Sequence, residues 1–95
     1  MPEMRFHVRW PDGSTESCYS PSLVVKDHLA VGETYALDDF LGRASTALHT
    51  ASERVKARYG HACSLALGQL ARIEAAAERF RATPDARVGV VRFEE

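Results

Sequence analysis

The fold of this chain is decided by residues 37–80, LDDFLGRASTALHTASERVKARYGHACSLALGQLARIEAAAERF. Apolar residues recur here in alternating steps of four and three, which places them on one side of an α-helix. One apolar stripe comprises Leu37, Leu41, Ala44, Leu48, Ala51 and Val55, and a second comprises Cys63, Ala66, Leu70, Ile73, Ala77 and Phe80. The segment therefore predicts two amphipathic helices whose apolar sides need a cover.

Between the stripes, the periodicity breaks at YGHACS (59–64). Glycine adopts the left-handed conformation that ends many helices, so Gly60 predicts a stop. We predict one helix over 37–59 and another over 63–82, folded back as a hairpin. The alternative is a single continuous helix, about 65 Å long at ~1.5 Å per residue. Such a rod buries its stripe only against another chain.

The N-terminal residues alternate between apolar and polar along MRFHVRW (4–10), which predicts a half-buried strand. Pro11-Asp12-Gly13 follows as a turn, and proline suits the first corner of a three-residue loop. That loop places Phe6 opposite Cys18 and directs the cysteine inward. A two-residue loop would instead place Cys18 opposite His7 on the polar side.

Three further signals complete the predicted fold. Ser20-Pro21-Ser22 is typical of a capped helix start, and a short helix over 22–30 ends at Gly32. RVGVVRF (87–93) predicts a last strand. We therefore predict a single α+β domain over 1–95, in which an N-terminal β-hairpin and a C-terminal strand form a small sheet. This sheet packs on an antiparallel helical hairpin, with one short extra helix.

Composition predicts a soluble globular protein, with 45% hydrophobic and 26% charged residues. The net charge of −1 argues against binding to nucleic acid. Arg54 and Arg58 lie one helical turn apart, which a solvated helix face explains. No apolar run reaches the ~20 residues of a membrane span. With no export signal and two cysteines, the chain is expected in the cytoplasm.

Cys18 and Cys63 form a candidate thiol pair. A thiolate near a helix N-terminus is stabilised by free amides, which makes Cys63 the more reactive candidate. The competing reading is that both are small buried side chains. The histidines lack metal-binding spacing, and neither a nucleophile elbow nor a phosphate-binding glycine loop is present. We expect no metal, no cofactor and no enzymatic activity.

Aromatic residues beside turns suggest a binding surface, because aromatic side chains grouped with arginine are common contact residues. Trp10 follows the first strand, Tyr19 precedes the short helix, and Tyr59 ends the first long helix. Core packing is the competing explanation for each of them. The predicted surface comprises Arg9, Trp10, Tyr19, Ser20, Tyr59, His61 and Ser64.

Several motifs carry a family resemblance: VRWPDG (8–13), CYSPS (18–22), ASERV (51–55), YG-x-ACS (59–64) and QL-x-x-I (69–73). With a Tyr-x-Leu-x-x-Phe segment (35–40), this order resembles a small bacterial family of nitrogen-starvation response proteins. Members are typically encoded beside a nitrilase, in gene clusters linked to nitrile or cyanide nitrogen use. The resemblance implies a cytoplasmic accessory role and supplies no catalytic residues. At position 61 the family has an aromatic residue where this chain has histidine.

From these observations we expect a non-enzymatic accessory or regulatory protein that binds a pathway enzyme. A second copy of the chain, which would give a homodimer, is the other candidate protein partner. Two alternatives remain. One is a thiol-based redox sensor or carrier that uses Cys18 and Cys63, and the other is a sensor of a small ligand or metal.

Overall fold

The computed structural model describes residues 2–95 and places a four-stranded sheet against two helices. The strands are β1 (Met4–Arg9), β2 (Thr15–Ser20), β3 (Thr34–Ala36) and β4 (Arg87–Glu94), and the helices are α1 (Leu37–Tyr59) and α2 (Ser64–Glu78), with a 3-10 helix at Leu23–Asp27. Neighbouring strands are antiparallel in the order β2-β1-β4-β3. The predicted α+β class is confirmed.

The β1–β2 hairpin has the predicted register. The Trp10 amide donates to the Ser14 carbonyl at 2.7 Å, which closes the three-residue loop. Phe6 lies opposite Cys18, and both side chains are fully buried. The alternation of apolar and polar residues thus directs Cys18 into the core, as predicted.

The helical hairpin is also confirmed, because α1 ends at the residue where the periodicity breaks. Gly60 has φ +86° and donates its amide to the Lys56 carbonyl at 2.8 Å, which caps the helix. The chain then reverses, and α2 packs beside α1. The alternative of one unbroken rod is excluded by this reversal.

The second helix is shorter than predicted and ends at Glu78 instead of residue 82. Beyond it, the Phe80 amide bonds to the Ala77 carbonyl at 2.9 Å, and the Thr83 amide bonds to the Phe80 carbonyl at 3.0 Å. These bonds reach back three residues and not four, so the chain tightens into turns. The tightening takes Phe80 off the helix and onto the ring of Trp10.

The predicted short helix is a five-residue 3-10 helix and not a helix over 22–30. Its cap is Ser22, whose hydroxyl accepts from the Val24 amide at 3.3 Å. Ser20 instead ends β2. The helix stops early because the amides of His28 and Leu29 both bond to one carbonyl, that of Val25.

The C-terminal strand β4 pairs with β1, as predicted, and also with β3 on its other side. The prediction missed β3 because three residues directly before a helix show no readable alternation. The helices cover one face of the sheet, where Phe6, Val8 and Val88 are fully buried. The other face carries the exposed side chains of Arg5 and Arg9.

Candidate functional site

The segment that joins α1 to α2 defines one end of the molecule, called here the turn end. The Cys63 amide donates to the hydroxyl of buried Ser52 at 3.2 Å, which ties the segment to α1. Around it, Tyr59, His61 and Ser64 are exposed. Three of the residues predicted to form a binding surface therefore lie at one turn.

Tyr19 lies on β2, beside the first turns of α2. Its amide donates to Gln69 Oε1 at 3.0 Å, and its hydroxyl donates to Glu3 Oε2 at 3.1 Å. The Arg5 guanidinium lies 5.9 Å from the centre of its ring. Desolvation and the hydrogen bond to Glu3 raise the pKa of the Tyr19 hydroxyl to about 12. Tyr19 is thus a neutral, hydrogen-bonded residue that joins the sheet edge to α2.

Trp10 is a core residue, which corrects its assignment to the surface. It is 2% exposed and packs edge-on against Phe40 at 5.8 Å and stacked against Phe80 at 6.0 Å, between ring centres. Its indole nitrogen donates to Glu16 Oε1 at 3.0 Å, which satisfies the only polar atom of the ring. Core packing, the competing explanation for this aromatic, is the correct one.

Ser20 and Arg9 also lie apart from the turn-end residues. Ser20 is fully buried, and its hydroxyl donates to the Ser22 carbonyl at 2.7 Å, so it shapes the chain and is not accessible to a partner. Arg9 is exposed on the open face of the sheet, opposite Gly89 of β4. The predicted surface is therefore divided among the core, the open sheet face and the turn end.

The two cysteines are free thiols in different surroundings. Cys18 is fully buried, and desolvation raises the pKa of its thiol to about 12. Such a thiol holds almost no thiolate near neutral pH, so it is a poor nucleophile. Cys63 is half-buried at the N-cap position of α2. The local structure disfavours Cys18 as a redox-active member of a pair.

An open groove lies between the 3-10 helix and the end of α1. It has a volume of about 500 Å³ and is largely apolar. Its rim carries Arg54, which donates to the Ser22 hydroxyl at 3.2 Å, and Arg58, whose guanidinium lies 5.7 Å from the centre of the Tyr59 ring. The lining residues are Pro2, Ser22, Leu23, Arg54, Ala57 and Arg58. Together with Tyr59 they are called here the turn-end surface.

A second, smaller cleft separates β2 from α2. Its volume is about 270 Å³, and its lining residues are Arg5, Ser17, Tyr19, Leu65, Gln69 and Arg72. Gln69 is 2% exposed, and its Oε1 accepts from both the Tyr19 amide and Arg72 Nη2. Its Nε2 has no hydrogen-bond partner among residues 2–95. A buried donor without a partner costs about 1–3 kcal/mol.

Sequence reasoning missed both concavities because each joins elements that are distant in the chain. One signal was nevertheless present at Gln69. It follows Ala66 by three residues and precedes Ile73 by four, which places a polar side chain inside the apolar stripe of α2. No comparable pattern marks Leu23, which only the packing of the 3-10 helix on α1 brings to the groove.

Over residues 2–95, no three His, Cys, Asp or Glu side chains come together in a way that could hold a metal ion. On the open sheet face, His7 Nε2 lies 2.6 Å from Glu94 Oε1, and this hydrogen bond lowers the pKa of the Glu94 carboxyl. Within the described part of the chain, neither helix combines the length and apolar character of a membrane span.

Comparison with known protein families gives a match over nearly the whole chain. A family model described as "Nitrogen starvation-induced protein NitG" matches residues 5–93. No curated protein and no solved structure matches the chain. The matched range includes both helices and all four strands, apart from the first residue of β1 and the last residue of β4.

Proposed function

The chain belongs to the NitG family of nitrogen starvation-induced proteins, and on that premise we propose that it is a non-enzymatic accessory protein that binds a partner protein. The partner would be an enzyme of nitrile or cyanide nitrogen use, as the resemblance to proteins encoded beside a nitrilase implies. The proposed contact region is the turn-end surface. The observation that carries the proposal is an exposed tyrosine beside an apolar groove with an arginine rim.

Exposure of apolar surface at this end supports the proposal. Tyr59 is 55% exposed, and its ring is held beside the guanidinium of Arg58. Tyrosine and arginine are the residue types that most often carry binding energy at protein interfaces. The groove volume of about 500 Å³ suits the side chains of a docked segment.

The charge of the rim indicates the chemistry of that segment. Neither Arg54 nor Arg58 forms an ion pair within 4 Å inside the described range. A partner segment that places an apolar side chain in the groove and a carboxylate beside these guanidiniums would complement both features. We assign the groove to such an acidic and apolar segment of the partner.

The proposal is tested with purified proteins and not with a lysate. The chain is titrated calorimetrically with a purified nitrilase and, separately, with the other enzymes of the kind of gene cluster that the family resemblance implies. We expect one of them to bind in a saturable way. Tyr59→Ala and Arg58→Glu should each weaken that binding about 10-fold or more, because the few residues that dominate an interface are enriched in tyrosine and arginine and each contribute about 2 kcal/mol or more.

Val31→Ser is the matched control, because Val31 is 50% exposed and lies in the loop that leads to β3. Its affinity should equal that of the wild type. The proposal fails if no enzyme of the cluster binds at about 100 μM. It also fails if Val31→Ser weakens binding as much as Tyr59→Ala does.

A further inference from the structure

We propose that the cleft between β2 and α2 is a binding site for a small organic carboxylate. This site, called here the anion cleft, is lined by Arg5, Ser17, Tyr19, Leu65, Gln69 and Arg72. It is separate from the turn-end surface, and the two share no lining residue. The inference is independent of the proposed partner and concerns a different ligand.

Charge is the first argument. Arg5 and Arg72 line one cleft, and no carboxylate is among its lining residues. Neither guanidinium forms an ion pair within 4 Å in the portion of the chain that the structure describes. Glu94 lies across from Arg5 on β4, but its carboxylate is 2.6 Å from His7 and 3.5 Å from Arg92. Glu3 is also close, because its carboxylate accepts from the Tyr19 hydroxyl at 3.1 Å. The cleft therefore combines two lining guanidiniums with acids at its margin and none in its lining.

Preorganised geometry is the second argument. Gln69 Oε1 accepts from Arg72 Nη2 at 3.3 Å and from the Tyr19 amide at 3.0 Å, so the acceptor end of this amide is fixed. The donor end, Nε2, is left buried without a partner among residues 2–95. A ligand oxygen near Arg72 would meet the guanidinium N–H groups that Gln69 Oε1 does not occupy. Gln69 thus acts as a positioning residue for the Arg72 guanidinium.

The edge of β2 adds a further donor to the same cleft. The Trp10 amide bonds to the Ser14 carbonyl, which fixes the alternation of hydrogen-bonded pairs along the hairpin. By that alternation, the amides of Ser17 and Tyr19 face away from β1, toward the free edge. The Tyr19 amide is occupied by Gln69, while Ser17 offers its amide and its hydroxyl to a ligand.

Size and polarity decide the ligand class. A volume of about 270 Å³ lies below the usual range for drug-sized ligands, which favours a small ligand. Leu65, which is 63% exposed, and the ring of Tyr19 supply apolar contact for a short hydrocarbon chain. Two guanidinium forks match carboxylate oxygens. A small carboxylate with a short apolar tail satisfies all three properties of the cleft.

The test is a titration at constant ionic strength, followed by two-dimensional amide NMR. The probes are butyrate, its neutral isostere butyramide, and inorganic phosphate. Butyrate should shift the Tyr19 and Gln69 signals in a saturable way, and butyramide should bind at least 10-fold more weakly. Arg72→Gln should weaken butyrate binding about 10-fold or more, since it removes a charge-assisted hydrogen bond.

Arg79→Gln is the matched control, because Arg79 is an exposed arginine at the opposite end of α2. It should leave butyrate binding unchanged. Arg72→Lys, which keeps the charge and loses the fork, should fall between wild type and Arg72→Gln. The inference is overturned if butyrate does not saturate the signals by about 50 mM. Equal binding of butyramide, tighter binding of phosphate, or an equal loss in Arg79→Gln also overturns it.

Discussion

Large apolar and aromatic side chains are buried at one end of the molecule and exposed at the other. At the end formed by the β1–β2 loop, Phe40 and Phe80 both pack on Trp10, and none of the three rings is more than 8% exposed. At the turn end, Tyr59 is 55% exposed and Leu65 is 63% exposed. One end is sealed by aromatic packing, while the other leaves apolar side chains in solvent.

The difference arises from how each helix ends. After Glu78 the chain tightens through bonds that reach three residues back, which brings Phe80 over the Trp10 ring. After Tyr59, the left-handed Gly60 reverses the chain without covering the last turn of α1. An aromatic residue beside a turn is therefore core or surface according to the path of the backbone that follows it.

The largest expected effect is on the sealed end. Trp10→Ala removes a fully packed aromatic ring and should reduce the free energy of unfolding by about 3–5 kcal/mol. Tyr59→Ala removes an exposed ring and should change it by less than about 0.5 kcal/mol. Urea unfolding followed by circular dichroism measures both changes. Tryptophan fluorescence is unsuitable, because Trp10 is the only tryptophan and is absent from the first variant.

Trp10→Phe separates ring packing from the hydrogen bond to Glu16. It keeps an aromatic ring and should lie between wild type and Trp10→Ala. If Tyr59→Ala destabilised the protein as much as Trp10→Ala did, the contrast between a sealed and an open end would be wrong.

The next largest effect is a pH dependence of stability caused by the burial of a thiol. Cys18 is fully buried, whereas Cys63, near the turn end, is half-buried. Burial raises the pKa of the Cys18 thiol to about 12, whereas an unfolded cysteine has a pKa of about 8.5. The folded state therefore binds the proton more tightly, so stability is full below pH 8.5 and falls as pH rises toward 12. By pH 10 the loss should be about 2 kcal/mol.

This loss is measured by urea unfolding at pH 7 and at pH 10. The wild type should lose about 2 kcal/mol more over this interval than Cys18→Ala. Free tyrosine has a pKa of about 10, so the raised pKa of Tyr19 also contributes to the loss, but wild type and Cys18→Ala share this contribution and it cancels in their difference. Parallel losses in wild type and Cys18→Ala would contradict the assigned burial.

The sequence predicts the sealed core better than the surface. Periodicity places both helices, and the Pro11-Asp12-Gly13 loop predicts the register that brings Phe6 opposite Cys18. These features depend on local chemistry and on repeating apolar positions. The strand β3 escapes prediction because its pairing with β4 joins residues 34–36 to residues 87–89, and no local pattern encodes that contact.

The candidate sites also divide into a part that local sequence predicts and a part that depends on contacts between distant residues. Tyr59, His61 and Ser64 could be grouped from the sequence because they share one turn. Arg72 and Arg5 could not, since only the packing of α2 on β2 places two arginines 67 positions apart in one cleft. The sequence does not decide between surface and core for Trp10, because the rings that bury it, Phe40 and Phe80, come from helix ends that are remote in the chain.

The smallest expected effect tests the reversal that creates the open end. Gly60 has φ +86°, and a Cβ added there would meet no atom within 4 Å, so Gly60→Ala is opposed by backbone strain alone. It should destabilise the protein by about 1–2 kcal/mol in urea unfolding.

Gly42 is its matched control, because it lies inside α1 with equally open space around it. Gly42→Ala should stabilise by about 0.5–1 kcal/mol, since alanine favours the helical conformation. Opposite signs at the two glycines follow only if the helix ends at residue 60; a stabilising Gly60→Ala would mean that the helix continues through the turn.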